Sequence, residues 1–232
     1  MPMNFWSSFD KIVGALQAGG AQLVDRLQQL VQSVGEARRN VAFTVAMIAL
    51  SAKMAKADGV VTHDEVVAFY DLFEMPAGEE GNVARLFHLA QQDVAGFETY
   101  ASKLSVLFAD DETTRTDVLD GLFYIAKADG IIHEREIAYL SRIAEIFGID
   151  PVGFSQIKAR HIRGGGDPYL VLGIDMSATD DEVRSRYRQQ VRETHPDRLI
   201  GRGVPEEFVK IASDKLVALN KAYEQICAER GI

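Results

Sequence analysis

His195, Pro196 and Asp197 stand side by side behind the arginines of RYRQQVRET. An imidazole next to a carboxylate can move a proton or hold a hydrogen-bonded partner. Proton-transfer catalysis also needs a nucleophile or a second carboxylate in the same site, and neither is paired with His195 in the sequence. Proline keeps the residue before it out of the helical region and cannot continue a hydrogen-bonded helix. The tripeptide therefore belongs in a loop at the end of a basic helix. Elsewhere, RGGGD (163–167) lacks the Lys-Ser/Thr of a phosphate-binding loop. Nothing near Cys227 marks it as a reactive thiol.

The elements that must position the tripeptide are legible. Thr179 with Glu182 three residues later is a capping box, so a helix begins at about residue 180. Val183, Tyr187 and Val191 form its inner stripe. Arg184, Arg188 and Arg192, spaced by four, form a positive stripe beside it that ends near His195. Arg186 lies on another face. A last helix runs from about residue 205 to Arg230, with Leu216, Leu219, Ala222, Tyr223 and Ile226 as its apolar face. Two long helices joined by one loop pack as an antiparallel hairpin, and the tripeptide sits at its tip. Asp167 and Pro168 start a short helix ahead of the hairpin, offering Tyr169, Leu170, Leu172 and Ile174 to a core.

Three glycines at 164–166 interrupt the pattern, and a glycine linker is placed at 163–166. Upstream, residues 40–162 carry apolar residues at helical spacing throughout, and no segment alternates long enough to make a strand. AKADG occurs at 55–59 and again at 126–130, followed by VVTHDEV and IIHEREI. Two copies of one helix–turn–helix unit are expected. Asp58, Glu65, Asp129 and Glu136 are its sharpest features, and their spacing lacks the alternating oxygens of a calcium loop. Turn and cap service explains them without an ion, so no metal is assigned. His63 and His133 are not equivalent in the two copies, and His88 and His161 read as ordinary, partly buried helical side chains.

Residues 1–39 form an amphipathic helical leader, with Leu23, Leu27, Leu30 and Val34 on one face. The leader is expected to pack on the body or to pair with the leader of a second copy as a homodimer contact. The longest uncharged runs, 12–24 and 40–52, fall short of the roughly 20 apolar residues of a membrane span, and the second reads as a buried helix. Net charge is −9, and the segment from Gly164 onward is acidic too, with 10 basic against 12 acidic residues. That balance argues against a nucleic-acid partner. A single cysteine forbids an intramolecular disulfide and favours a reducing compartment.

Residues 166–230, from DPYLVLGI through THPDRL to LNKAYEQI, resemble a J domain, the module of the DnaJ co-chaperones. The duplicated AKADG block resembles the TerB-like helical domain of tellurite-resistance proteins. Together they resemble the membrane-anchored DnaJ-like type, here with no clear membrane span. The resemblance implies an all-α fold: a TerB-like domain at 40–162, the linker, and a J domain at 167–232. The single cysteine and the lack of a clear span make a cytoplasmic protein the expectation, peripheral at the inner face of the membrane at most. The implied partner is a DnaK-like Hsp70, contacted by His195, Pro196, Asp197, Arg184, Arg188 and Arg192, with client proteins loaded on it. No cofactor and no catalytic centre in this chain follow from it; the tripeptide becomes a stiff contact point. The alternative function is a metal- or ligand-sensing stress scaffold acting through the TerB-like half.

Overall fold

The computed structural model describes residues 36–58, 67–68, 80–92, 96–162, 166–195 and 208–232. All regular structure among them is helical. In order, α1 spans Glu36–Asp58, α2 Glu80–Gln92, α3 Phe97–Leu107, α4 Glu112–Ala126, α5 Glu134–Phe147 and α6 Pro151–His161. The C-terminal segment adds α7 (Pro168–Leu172), α8 (Asp180–Thr194) and α9 (Phe208–Arg230). Residues 1–35 of the leader, including its proposed self-pairing face, lie outside the described residues, and 36–39 already belong to α1. Among the described residues no helix is long and apolar enough to cross a membrane.

The uncharged run 40–52 explains the bundle's centre. Apolar residues on every side of a helix require partners on every side. Accordingly α2, α3, α4 and α5 all pack against α1, and residues 42–52 of α1 are buried. Phe43 meets Phe108 edge-on at 5.6 Å. The hydroxyl of Tyr139 on α5 donates to the α1 carbonyl of Leu50 at 2.7 Å, and burial pushes that phenol's pKa well above its ordinary value.

Caps fix where the later helices start. Asp111 accepts from the Thr114 amide, Asp150 from Gly153 and Asp167 from Tyr169. Pro151 and Pro168 occupy first-turn positions, where a missing N–H costs nothing. Gly173 ends α7 at φ +67°, a left-handed conformation that penalises side chains by about 1–2 kcal/mol. A Cβ there would also come within 2.6 Å of the Gln156 amide on α6. Gly173→Ala should therefore lower stability by about 1–2 kcal/mol while keeping the fold, which thermal denaturation followed by circular dichroism measures.

Candidate docking site

The capping box closes as the sequence indicates. The Thr179 amide donates to Glu182 Oε2 at 2.7 Å, and the Glu182 amide donates to Thr179 Oγ1 at 3.3 Å. Accepting bonds from the Thr179 amide and hydroxyl lowers the Glu182 carboxyl's pKa. The hairpin is antiparallel: the start of α8 meets the end of α9, where Arg230 contacts Asp180 at 3.1 Å. Farther along, the Tyr187 and Tyr223 rings stack 4.0 Å apart, and the Tyr187 hydroxyl donates to Asn220. Leu172, Val183, Leu219 and Ile226 fill the space between α7, α8 and α9.

Val183 is buried, Tyr187 is half-buried, and the stripe then continues through Gln190 and Thr194, with Val191 only half-buried. At about 100° per residue, steps of four drift around a helix, whereas steps of four, three and four hold one face. Leu216 is likewise only half-buried on α9. Arg230 is a tie that the sequence reading lacked. Its guanidinium donates to the Tyr169 hydroxyl, to the carbonyls of Ala178 and Met176, and to Asp180. It thereby fastens the α7–α8 turn to the end of α9.

Arg188 and Arg192 are exposed along α8, and Arg184 is part-covered, 3.4 Å from Asp181. His195 follows α8 directly, exposed, with φ −60° and ψ 131°. That extended backbone is what a residue before proline adopts. The structure thus places His195 at the end of α8, with Arg184, Arg188 and Arg192 along the helix that leads to it; Pro196 and Asp197 lie outside the described residues. Two clefts, of about 290 Å³ beside Lys127 and Lys221 and about 460 Å³ beside Glu182 and Arg186, do not include His195.

The repeat's second copy is a turn and a cap. Gly130 has φ 89°, the Ile131 amide donates to Asp129 Oδ1 at 2.9 Å, and the His133 amide donates to Glu136 Oε2 at 2.8 Å. Asp58 ends α1, with its side chain outside the described set, as is Glu65. Among the described residues no three His, Cys, Asp or Glu side chains converge as metal ligands would.

A second polar constellation lies where the bundle meets the hairpin. Asp120 on α4 receives Arg160 Nη2 at 2.7 Å and Nε at 3.3 Å, and lies 2.9 Å from His161 Nε2. Lys215 of α9 reaches Asp117 at 3.3 Å and Asp120 at 3.7 Å. The side chains of Asp120, Arg160 and His161 are 2%, 5% and 7% exposed. Burial alone would raise the Asp120 carboxyl; Arg160, His161 and Lys215 outweigh it and hold the pKa well below the usual carboxylate range. Burial lowers the His161 pKa despite the bond to Asp120, and the ring stacks on Phe123 at 5.4 Å. His161 is thus buried within a charged cluster, which its helical spacing alone did not indicate.

Comparison with known proteins agrees with this order of parts. The family model described as tellurite resistance protein TerB matches residues 44–159, and that of the DnaJ domain matches 167–230. The co-chaperone protein DjlA of Photobacterium profundum is 30% identical over 220 residues, covering 83% of this chain and 79% of the relative. DjlA of Coxiella burnetii is 28% identical over 194 residues, covering 75% and 72%. DjlA of Legionella pneumophila is 43% identical over 63 residues, which cover 27% of this chain and 21% of the relative. No solved structure matches the chain. Both modules and the order in which they follow one another are thus shared along most of the length, and the chain belongs to the DjlA family of co-chaperones.

Proposed function

We propose that this chain stimulates ATP hydrolysis by a DnaK-type Hsp70 and helps load client proteins on it, the chemistry taking place in the partner. His195 standing exposed at the end of α8, in line with exposed Arg188 and Arg192, is the observation that carries this reading. A row of guanidinium groups attracts an acidic surface and orients the encounter. His195, with Pro196 and Asp197 after it, then makes the triggering contact, and Arg184 extends the row. The working limits are a TerB-like domain at 40–162, a linker at 163–166 and a J domain at 167–232. We place the activity in the cytoplasm, peripheral to the membrane at most.

Reversing two charges tests the reading directly. Arg188→Glu with Arg192→Glu should raise the concentration that half-saturates Hsp70 stimulation by about tenfold or more. Both side chains are exposed, so the helical circular dichroism should not change. Added salt should weaken the wild-type effect, because charges at an exposed rim are screened over roughly 8–10 Å at 0.1–0.15 M. Unaltered half-saturation in the double variant overturns the docking role of α8.

A further inference from the structure

We propose that the bundle is a built-in seat for the J hairpin, with the first two turns of α9 latched onto α4 and α6 through the buried Asp117, Asp120, Arg160 and Lys215 cluster. The observation is a change of core along one helix. Leu219, Ala222 and Ile226 of α9 belong to the hairpin's core, but Ile211 and Ala212 are buried in the core of the bundle. In return, Ala159 of α6 is buried among the hairpin's residues. Each module therefore completes the other's interior.

Glycines mark the closest approaches. A Cβ on Gly121 of α4 would come within 2.7 Å of the end of Ile211. One on Gly166 would come within 2.6 Å of the Ala159 carbonyl. An interior helical glycine is less stable than alanine, so Gly121 exchanges helix stability for the seating of α9. Between these contacts lies the charge cluster, to which Lys215 reaches from the hairpin side. Lys210, one turn earlier, lies 5.6 Å from the Tyr124 ring of α4.

Breaking one partner of a buried ion pair leaves the other charge uncompensated, so the pair resists separation strongly. In sequence, α9 is the element that follows the His195-Pro196-Asp197 segment. Seating its first turns therefore sets where that segment must return, and it makes the TerB-like bundle a positioning element for the contact loop.

Amide exchange read by mass spectrometry on the full chain tests the seat, with no Hsp70 present, so the outcome is independent of the proposed chaperone activity. Lys215→Met keeps the stem and removes the charge. It should speed exchange in residues 208–219 by tenfold or more, while α8 and the core of α1 keep their rates. Asp117→Asn, nearly unchanged in shape, should produce the same localised rise from the other side of the contact, and it decides the matter if Lys215→Met fails to fold. Unchanged rates in 208–219 overturn the seat. A uniform rise through every helix does so as well, because it marks these residues as contributors to general stability only.

Discussion

His195→Gln should reduce stimulation of a DnaK-type Hsp70's steady-state ATP turnover to the unstimulated rate, with no change in the chain's helical content. The specificity of that loss follows from position. His195 lies just past the last hydrogen-bonded turn of α8, in extended backbone and exposed to solvent. Its side chain therefore fills no part of the core between α7, α8 and α9, which Leu172, Val183, Leu219 and Ile226 build without it. Glutamine keeps a polar, hydrogen-bonding side chain and changes the geometry and chemistry presented at the tip. A stability defect and a contact defect are thus separable: circular dichroism and the melting midpoint report the first, ATP turnover the second. Retained stimulation by a folded His195→Gln chain would falsify the trigger role. Turnover lost together with helical signal would instead place His195 in the fold.

The contrast with the arginine variants is informative. Charge reversal at Arg188 and Arg192 weakens association and can be overcome by raising the chain's concentration. Loss of the trigger contact cannot, because saturating the encounter does not restore a missing interaction at the tip. Concentration series on the two variants therefore assign α8 and His195 to different steps.

What could be read from residues alone was whatever is encoded locally. Thr179 and Glu182 are three positions apart, and their reciprocal bonds are visible in the sequence as a pattern. Asp150 with Pro151, and Asp167 with Pro168, act within one turn. The uncharged run in α1 could only be buried. The seat was not legible, because its partners are far apart in the chain. Arg160 lies 40 positions from Asp120, and Lys215 lies 98 from Asp117. Each appears in the sequence as one more charge on an amphipathic helix. Ile211 and Ala212 likewise looked like the unremarked start of α9, since nothing local tells a helix which of two cores it will enter. Three consecutive glycines do mark a break in helix pattern. Yet Gly166 packs tightly on Ala159, so a break in pattern there is not a break in packing.

Acidification should loosen the junction in two stages, beginning at His161 of α6. The buried imidazole of His161 is held below its ordinary pKa of 6.5 chiefly by burial, which outweighs the pull of Asp120, with smaller lowering from the nearby Lys127 and Arg160 charges. The folded chain therefore binds a proton there less readily than the unfolded chain does. The stability His161 contributes is complete above pH 6.5 and declines as pH falls through that value. Asp120 behaves in the same sense at lower pH. Its carboxyl is held below the ordinary 3.8 despite burial, by Arg160, His161 and Lys215, so its contribution is lost as pH drops below about 4. At that stage the loss approaches the roughly 3–5 kcal/mol that removing one partner of a buried ion pair costs. The exposed carboxyls of Asp175 and Glu182 are also lowered, by bonds from Ser177 and Thr179, and add to the acid limb. Variants separate the contributions. His161→Gln should flatten the fall in melting midpoint between pH 7 and 5, while Asp120→Asn should lower stability at neutral pH and shallow the limb below pH 4. A wild-type midpoint that stays level from pH 7 to 5 would rule out the first stage. An Asp120→Asn chain with an unchanged acid limb would rule out the second and leave the cap carboxyls as the groups that titrate.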